Sequence, residues 1–229
     1  MAETFRYDNL EDTSQFEVVP FTPETIKEYP EDVLRVADAA ISTAVSIAWT
    51  SKLVPKVLKM QDIHHKFPYR RDGKHRFTDI ESGTEYWFAY QKPDDVSMDD
   101  KLEHTRAVLR VETYKPRLFR PNYPNITDLE TISGSVYAYE NFAAALVYHS
   151  LSSMSLRLGK GDRKVAAYEL QGSDGISFYD NLGFQPTGNR PTEIVGGGEV
   201  RYIHLEAPSM LEVISTTTSQ YPWLNTKSD

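Results

Sequence analysis

Apolar positions along the chain fall into two periods, and the switches between them mark out most of its elements. Phe16 to Phe21 (FEVVPF) is β-branched and aromatic, a strand that Pro20 ends early or sets at a sheet edge. From Thr22 the period becomes helical. Thr22 is placed as N-cap with Pro23 at the first helical position, a second start lies near Pro30, and Val33, Val36, Ala37, Ala40, Ile41, Ala44, Val45 and Ala48 recur at helical spacing. SKLVPKVLKM continues helically with a break at Pro55, and HHKFPYRRDGKHRF reads as a loop.

The period returns to two in Glu85 to Gln91 (EYWFAYQ) and in His104 to Tyr114, where Ala107, Leu109 and Val111 share one face. The acidic PDDVSMDD between them predicts a hairpin connection and hence antiparallel neighbours. NITDLETIS is a fourth strand. Val136 to Leu158 then carries one helical stripe in Ala143, Leu146, Val147, Ser150 and Met154 and another in Phe142, Ala145, His149, Ser153 and Leu156, so this helix is expected to be buried. Gly159 and Gly161 stop it. Lys164 to Leu170 (KVAAYEL) is a fifth strand, Ile176 to Leu182 a short helix closed by Gly183 at its C-cap, and Val200 to Glu206 a last strand after GGG. There is no internal repeat. Strands, helices, then strand, helix and strand predict one mixed α/β domain over 16–215, between a polar N-terminal arm, 1–15, and a C-terminal tail, 216–229, without periodicity.

Composition narrows the function classes. The chain has 229 residues, 40% of them hydrophobic, enough for one sizeable core. Its net charge of -8 argues against a surface built to hold nucleic acid or anionic membrane. With no cysteine, disulfides, thiolate metal sites and a cysteine nucleophile are excluded. Polar Glu3, Arg6, Asp8, Glu11 and Asp12 precede any apolar run, and the apolar window Val33 to Trp49 is broken by Arg35 and Asp38, so neither a secretory signal nor a membrane span is read and a cytoplasmic protein is expected. The sequon at Asn125–Thr127 is then coincidental.

The order of elements, together with SFYDNLGF (Ser177 to Phe184), resembles the GNAT superfamily of N-acetyltransferases. The motif matches that family's aromatic–Tyr pair, a few polar residues and Leu-Gly-Phe, and it stands where the family has it, after a strand and before the terminal strand pair. By element order the likeness covers Phe16 to Glu206; the specific part is about Lys164 to Gly188. The resemblance implies an α/β fold of the α+β type, a mostly antiparallel mixed sheet flanked by helices on both faces. It also implies that the strands before and after the long helix splay to hold acetyl-CoA, and that Tyr179 protonates the leaving thiolate. The turn into the helix supplies backbone N–H groups for the pyrophosphate.

Carried onto this chain, the cofactor-binding candidates are Ile132, Ser133, Gly134, Tyr139, Asn141, Phe142 and Ala143. The chain departs from the family at the pyrophosphate turn. Where the family has Gln or Arg, two residues, Gly, any residue, then Gly or Ala, this chain aligns Ala138 to Ala143, and only Ala143 fits; Asn141 is read as a left-handed turn residue, and Gly134 with Ser135 offers another cradle. Asp128 and Glu130 alternate along the central strand, so Glu130 is the candidate base or ammonium anchor, with pairing to Arg106 or Arg110 as the ordinary account of Asp128.

Other polar residues have ordinary accounts. His149 reads as a core histidine, and His64, His65 and His75 with Asp62 and Asp79 show no ligand spacing, so no metal is expected. The basic run Lys66 to Arg76 and the acidic run Asp94 to Glu103 read as solvated segments. The resemblance thus implies acetyl-CoA-dependent acetylation of a primary amine on a small molecule or protein, with a homodimer left open. The alternative is a GNAT-fold binding protein without activity. An acyl-homoserine lactone synthase is less favoured, because Glu130 is followed by Thr131, Ile132 and Ser133 rather than Arg and Phe.

Overall fold

The computed structural model describes residues 5–8, 15–22, 25, 28, 84–91, 105–113, 123–131, 136–159, 161–170, 175–189, 193–195, 198–200 and 202–225. The long helix expected from Val33 to Ala48, the charged run from Lys66, the histidines at 64, 65 and 75 and the acidic run from Asp94 lie outside these residues. Upstream of it, the Thr22 hydroxyl accepts from the Thr25 amide at 3.3 Å, the bond an N-cap makes.

The described strands are β1 Phe5–Asp8, β2 Gln15–Phe21, β3 Thr84–Gln91, β4 Thr105–Thr113, β5 Pro124–Thr131, β6 Val165–Leu170, β7 Gln185–Asn189, β8 Glu193–Val195, β9 Gly198–Val200 and β10 Tyr202–Ala207. The described helices are α1 Val136–Leu158, α2 Gly175–Asn181 and α3 Met210–Gln220, followed by a 3-10 turn at Pro222–Asn225. Eight strands form one sheet in the order β1-β2-β3-β4-β5-β6-β10-β7, and β8 pairs with β9 separately. Every neighbouring pair in the large sheet is antiparallel except β5 and β6. This is the mixed, mostly antiparallel α/β architecture that the pattern of elements predicts.

The core forms where alternate residues of the middle strands meet α1. Phe16 and Val18 of β2, Trp87 of β3, and Leu109 and Val111 of β4 are buried in one cluster with Phe142, Leu146 and Val147 of α1. Each such side chain taken fully from water contributes about 1.5–3 kcal/mol. α1 packs on β2 to β5 and against α3, which explains why its residues 142–147 are buried without a polar stripe. Past Met154 it emerges, with Leu156 84% exposed. Gly159 ends it in left-handed geometry at φ +58°, its amide bonded to the Ser155 carbonyl at 3.1 Å. Arg157, in the last turn, ion-pairs with Glu85 of β3, whose other oxygen accepts from Trp87 Nε1 at 3.1 Å. That buried carboxylate ties the end of the helix to the sheet.

Three segments differ from their sequence reading. Between the short helix and the last strand lie β7, β8 and β9, and Val200, read as the start of the last strand, belongs to β9. The polar arm 1–15 contains β1, paired with β2 from Phe5↔Val18 to Asp8↔Gln15; charged residues at a sheet margin suit an edge strand, so a polar composition hides it. The expected tail begins inside α3. The run TTTSQ has poor intrinsic helix propensity, but Met210, Val213 and Thr217 form a buried stripe, and the Thr217 hydroxyl donates to the Val213 carbonyl at 2.6 Å. An N-cap starts this helix: Ser209 Oγ accepts from the Glu212 amide at 3.1 Å.

Candidate functional site

The one parallel contact in the sheet opens almost as soon as it forms. β5 and β6 pair only at Asn125↔Ala166 and Ile126↔Ala167, although β6 continues to Leu170 and stays paired with β10 over its whole length. The cause is visible on the other side of β5. Val111 lies opposite Ile126 and Arg110 opposite Asp128, which leaves Thr127 as an extra residue in β5. A bulge of this kind bends its strand and increases its twist. The Thr127 hydroxyl donates to the Arg110 carbonyl at 3.4 Å across the irregularity. Immediately beyond it the two strands part.

Two helices frame the opening. α1 begins at Val136, five residues after β5 ends, so its N-terminus lies beyond the carboxyl end of one splayed strand. The amides of its first turn have no partner within the helix, and no acidic residue lies in that turn. α2 follows β6 and packs on it. A crevice between the carboxyl ends of two parallel strands, with a helix N-terminus beside it, is where open α/β sheets take ligands and where a phosphate finds main-chain donors.

Tyr179 is fixed on α2 by the residues that end the helix. Gly183 adopts φ +88°, its amide donates to the Asp180 carbonyl at 2.9 Å, and the Phe184 amide donates to the Tyr179 carbonyl at 3.0 Å. This is a Schellman motif, and the accompanying contact between its apolar residues is the edge-to-face pair of Tyr179 and Phe184, with ring centroids 5.2 Å apart. Phe178 packs on the other side at 5.6 Å. The Leu-Gly-Phe triplet therefore sets the backbone and the ring of Tyr179 together, and Tyr179 is 1% exposed.

This arrangement decides the architecture. The chain has the GNAT fold. Among solved structures, it is similar to the NatC complex bound to Gag peptide and CoA, at 14% identity and a TM-score of 0.51, covering 83% of this chain and 98% of that one. A second likeness is to an N-acetyltransferase from Staphylococcus aureus Mu50, at 12% identity and a TM-score of 0.49, covering 86% and 98%. No protein-family model matches the chain, and no curated protein sequence matches it significantly.

Within the GNAT frame, the predicted residues are distributed as follows. Tyr179 and Glu130 belong to α2 and β5, the elements on either side of the splay. By register Glu130 lies opposite Val108 and Asp128 opposite Arg110, the alternate set to Leu109 and Leu129. Arg110 itself pairs with Glu112 at 2.5 Å and lies 6.0 Å from the centre of the Tyr86 ring. Ile132, Ser133 and Gly134 lie outside the described residues. Tyr139, Asn141, Phe142 and Ala143 are all helical residues of α1, so Asn141 does not occupy a left-handed turn. The helix starts at Val136, before the aligned segment. Phe142 and Ala143 are buried, with Phe142 edge-to-face on Phe16 at 5.0 Å. They hold the first turns of α1 in place. Glu140 stands one turn into the helix.

His149 is a core residue. Burial pushes its imidazole down to about 3, so it is neutral at pH 7. Among the described residues no cluster of His, Asp and Glu could hold a metal, and no helix is long and apolar enough to cross a membrane. Two residues near the site carried no signal in the sequence. Gln220 of α3 donates from Nε2 to the Asn181 carbonyl at the end of α2, at 2.6 Å, and Trp223 packs edge-to-face on Phe16 at 5.7 Å.

Proposed function

We propose that this chain is an acetyl-CoA-dependent N-acetyltransferase acting on a primary amine of a small molecule or a protein, and that it works in the cytoplasm. The observation that carries the reading is the splay of β5 from β6 at Thr127, with the α1 N-terminus and the Tyr179 helix on either side. Main-chain groups of β5 beyond Ile126 have β4 on one side and the opening on the other, which suits an extended pantetheine arm adding its amides as a strand would. The first turn of α1, with 132–135 before it, suits a pyrophosphate. Acetyl-CoA supplies an activated acyl carbonyl and a thiolate leaving group.

The protein's own residues then have little covalent chemistry to do. Glu130 receives a proton from the substrate ammonium, directly or through water, and holds the free amine near the carbonyl. As the amine nitrogen bonds to the acyl carbon and the carbon–sulfur bond breaks, Tyr179 gives its phenolic proton to the departing sulfur. The nitrogen sheds its second proton as the amide forms, which reprotonates the tyrosinate through solvent, and Glu130 releases the proton it took to solvent. A phenol is a suitable donor here because its ordinary pKa, about 10, lies close to that of a thiol, about 8.5, so the transfer is nearly balanced in energy.

Isothermal titration with acetyl-CoA and with CoA tests the cofactor. Binding of both is expected, and binding of neither would turn the reading toward a GNAT-fold binding protein. Tyr179→Phe tests the acid: the rate of acetyl transfer should fall roughly 10²–10⁴-fold, the usual contribution of a positioned proton donor, with acetyl-CoA affinity kept. An unchanged rate of the chemical step would remove Tyr179 from the reaction.

A further inference from the structure

The last four carbonyls of a helix have no partner within it, and at α2 their bonds can be followed one by one. The Tyr179 carbonyl accepts from Leu182 and Phe184, and the Asp180 carbonyl from Gly183. The Asn181 carbonyl accepts from Gln220, 39 residues further along the chain, at 2.6 Å. The helix that carries Tyr179 is thus closed partly by its own Schellman turn and partly by the end of α3.

Three residues beyond Gln220, the chain reaches the aromatic side chains packed on α1. The Tyr221 amide donates to the Thr217 carbonyl at 2.8 Å, and the 3-10 turn that follows sets Trp223 against Phe16 and buries Leu224 in the main cluster. Phe16 packs in turn on Phe142 in the early part of α1. From Ser209, which caps α3, to Leu224, one short segment therefore grips α2 with a hydrogen bond and reaches α1 through two aromatic contacts. The rest of α3 packs along α1.

We propose that the C-terminal segment Met210–Asn225 is a brace across the cofactor cleft, in which Gln220 positions the Tyr179 helix and Trp223, through Phe16, positions the start of α1. This rests on the acetyltransferase reading for its catalytic consequence but not for its mechanical one. Gln220 is a positioning residue: it acts on Tyr179 through the Asn181 carbonyl. Because that carbonyl accepts, only a donor at 220 can hold it. The negative end of the helix dipole lies at the same place, so a cation should serve and an anion should repel.

A charge series makes the test. Gln220→Ala removes the donor, Gln220→Glu offers a carboxylate to a carbonyl oxygen, and Gln220→Lys restores a donor with enough reach. Hydrogen exchange of the Leu182, Gly183 and Phe184 amides reads the mechanical part without any substrate. Protection should fall roughly three- to tenfold in the Ala variant, as the loss of one hydrogen bond implies, fall further in the Glu variant, and return in the Lys variant. With acetyl-CoA and an accepted amine, kcat should follow the same order while KM for acetyl-CoA changes less than twofold. Trp223→Phe should keep both properties, and Trp223→Ala should raise exchange at the α1 N-terminus. Exchange and kcat that ignore the charge at 220 would overturn the brace. An acetyl-CoA titration without heat in the wild type would overturn the function instead, and the exchange series would still decide whether the segment braces α2.

Discussion

Acid should weaken this fold through one imidazole. His149 lies in the middle of α1, 7% exposed, beside the edge of the Tyr148 ring at 5.0 Å, and burial lowers its pKa from 6.5 to about 3. Between those values the unfolded chain binds a proton at this position and the folded chain does not, so stability rises with pH and is lost as pH falls from 6.5 toward 3. Each pH unit in that window is about 1.36 kcal/mol, which amounts to roughly 2 kcal/mol at pH 5. Against a total stability of about 5–15 kcal/mol for a typical domain, that is a large fraction. The perturbation is His149→Gln, which keeps polarity without titration, beside His149→Leu, which keeps an apolar residue in the helix. Urea unfolding of the three proteins at pH 7.5, 6.5, 5.5 and 5.0 gives the measurement. Carboxylates contribute to every curve alike, so the difference between wild type and each variant isolates the imidazole. That difference should be flat above pH 6.5 and shift by roughly 2 kcal/mol in the variants' favour by pH 5. Parallel curves down to pH 5 would show that the imidazole charges freely in the folded protein, and the buried, neutral role would fall.

Two further substitutions address the joints around the site. Gly183→Ala places a Cβ where no atom lies within 4 Å, so its cost is backbone strain at φ +88° alone, about 1–2 kcal/mol by chemical denaturation; Gly183→Asn should cost less, and equal costs would mean that the turn relaxes out of left-handed geometry. Arg157→Met leaves the Glu85 carboxylate buried without its cation and should destabilise by about 2–4 kcal/mol, whereas adding Glu85→Gln should recover part of that loss; additive losses would mean that the pair is not coupled.

Where local periodicity sets the element, the structure agrees with the sequence to within a residue or two. Val136–Leu158 is one helix with those bounds because its apolar residues surround it and Gly159 supplies the left-handed stop. β3 and β4 pair antiparallel, as their aromatic and alternating runs predict. Elements held by other parts of the chain were hidden. β1 exists because β2 offers an edge, and α3 because α1 offers a groove for Met210, Val213 and Thr217. Ser209 and Glu212, three residues apart, are the sequence signal that could have found α3. The bulge at Thr127 had no signature, since Ile126, Thr127 and Asp128 continue the strand's alternation without a glycine; it is a property of the pairing with β4. The aligned turn was displaced for a related reason. The family's spacing pointed to a turn at 138–143, but the apolar stripe that begins at Phe142 already needs helix there.

The motif SFYDNLGF has a structural account, and under the proposed function it has a chemical one that rests on the first. As local structure, Leu182, Gly183 and Phe184 end a helix by closing the Tyr179 and Asp180 carbonyls, which is sufficient reason for the glycine. As chemistry, a proton donor has to be held to within a fraction of an ångström of a sulfur that arrives only with the cofactor. A tyrosine on a free seven-residue helix could not be held so, because a helix that short is marginal in water. The Schellman turn removes that freedom at the residue in question: the same two residues, Tyr179 and Phe184, share the closing hydrogen bond and the ring contact. Substituting Phe184 should therefore disturb catalysis through Tyr179 without touching a ligand, whereas a substitution at exposed Ser177, on the same helix and outside the turn, should not. On the proposed reading, the punctuation of the helix is the means by which its tyrosine would be aimed.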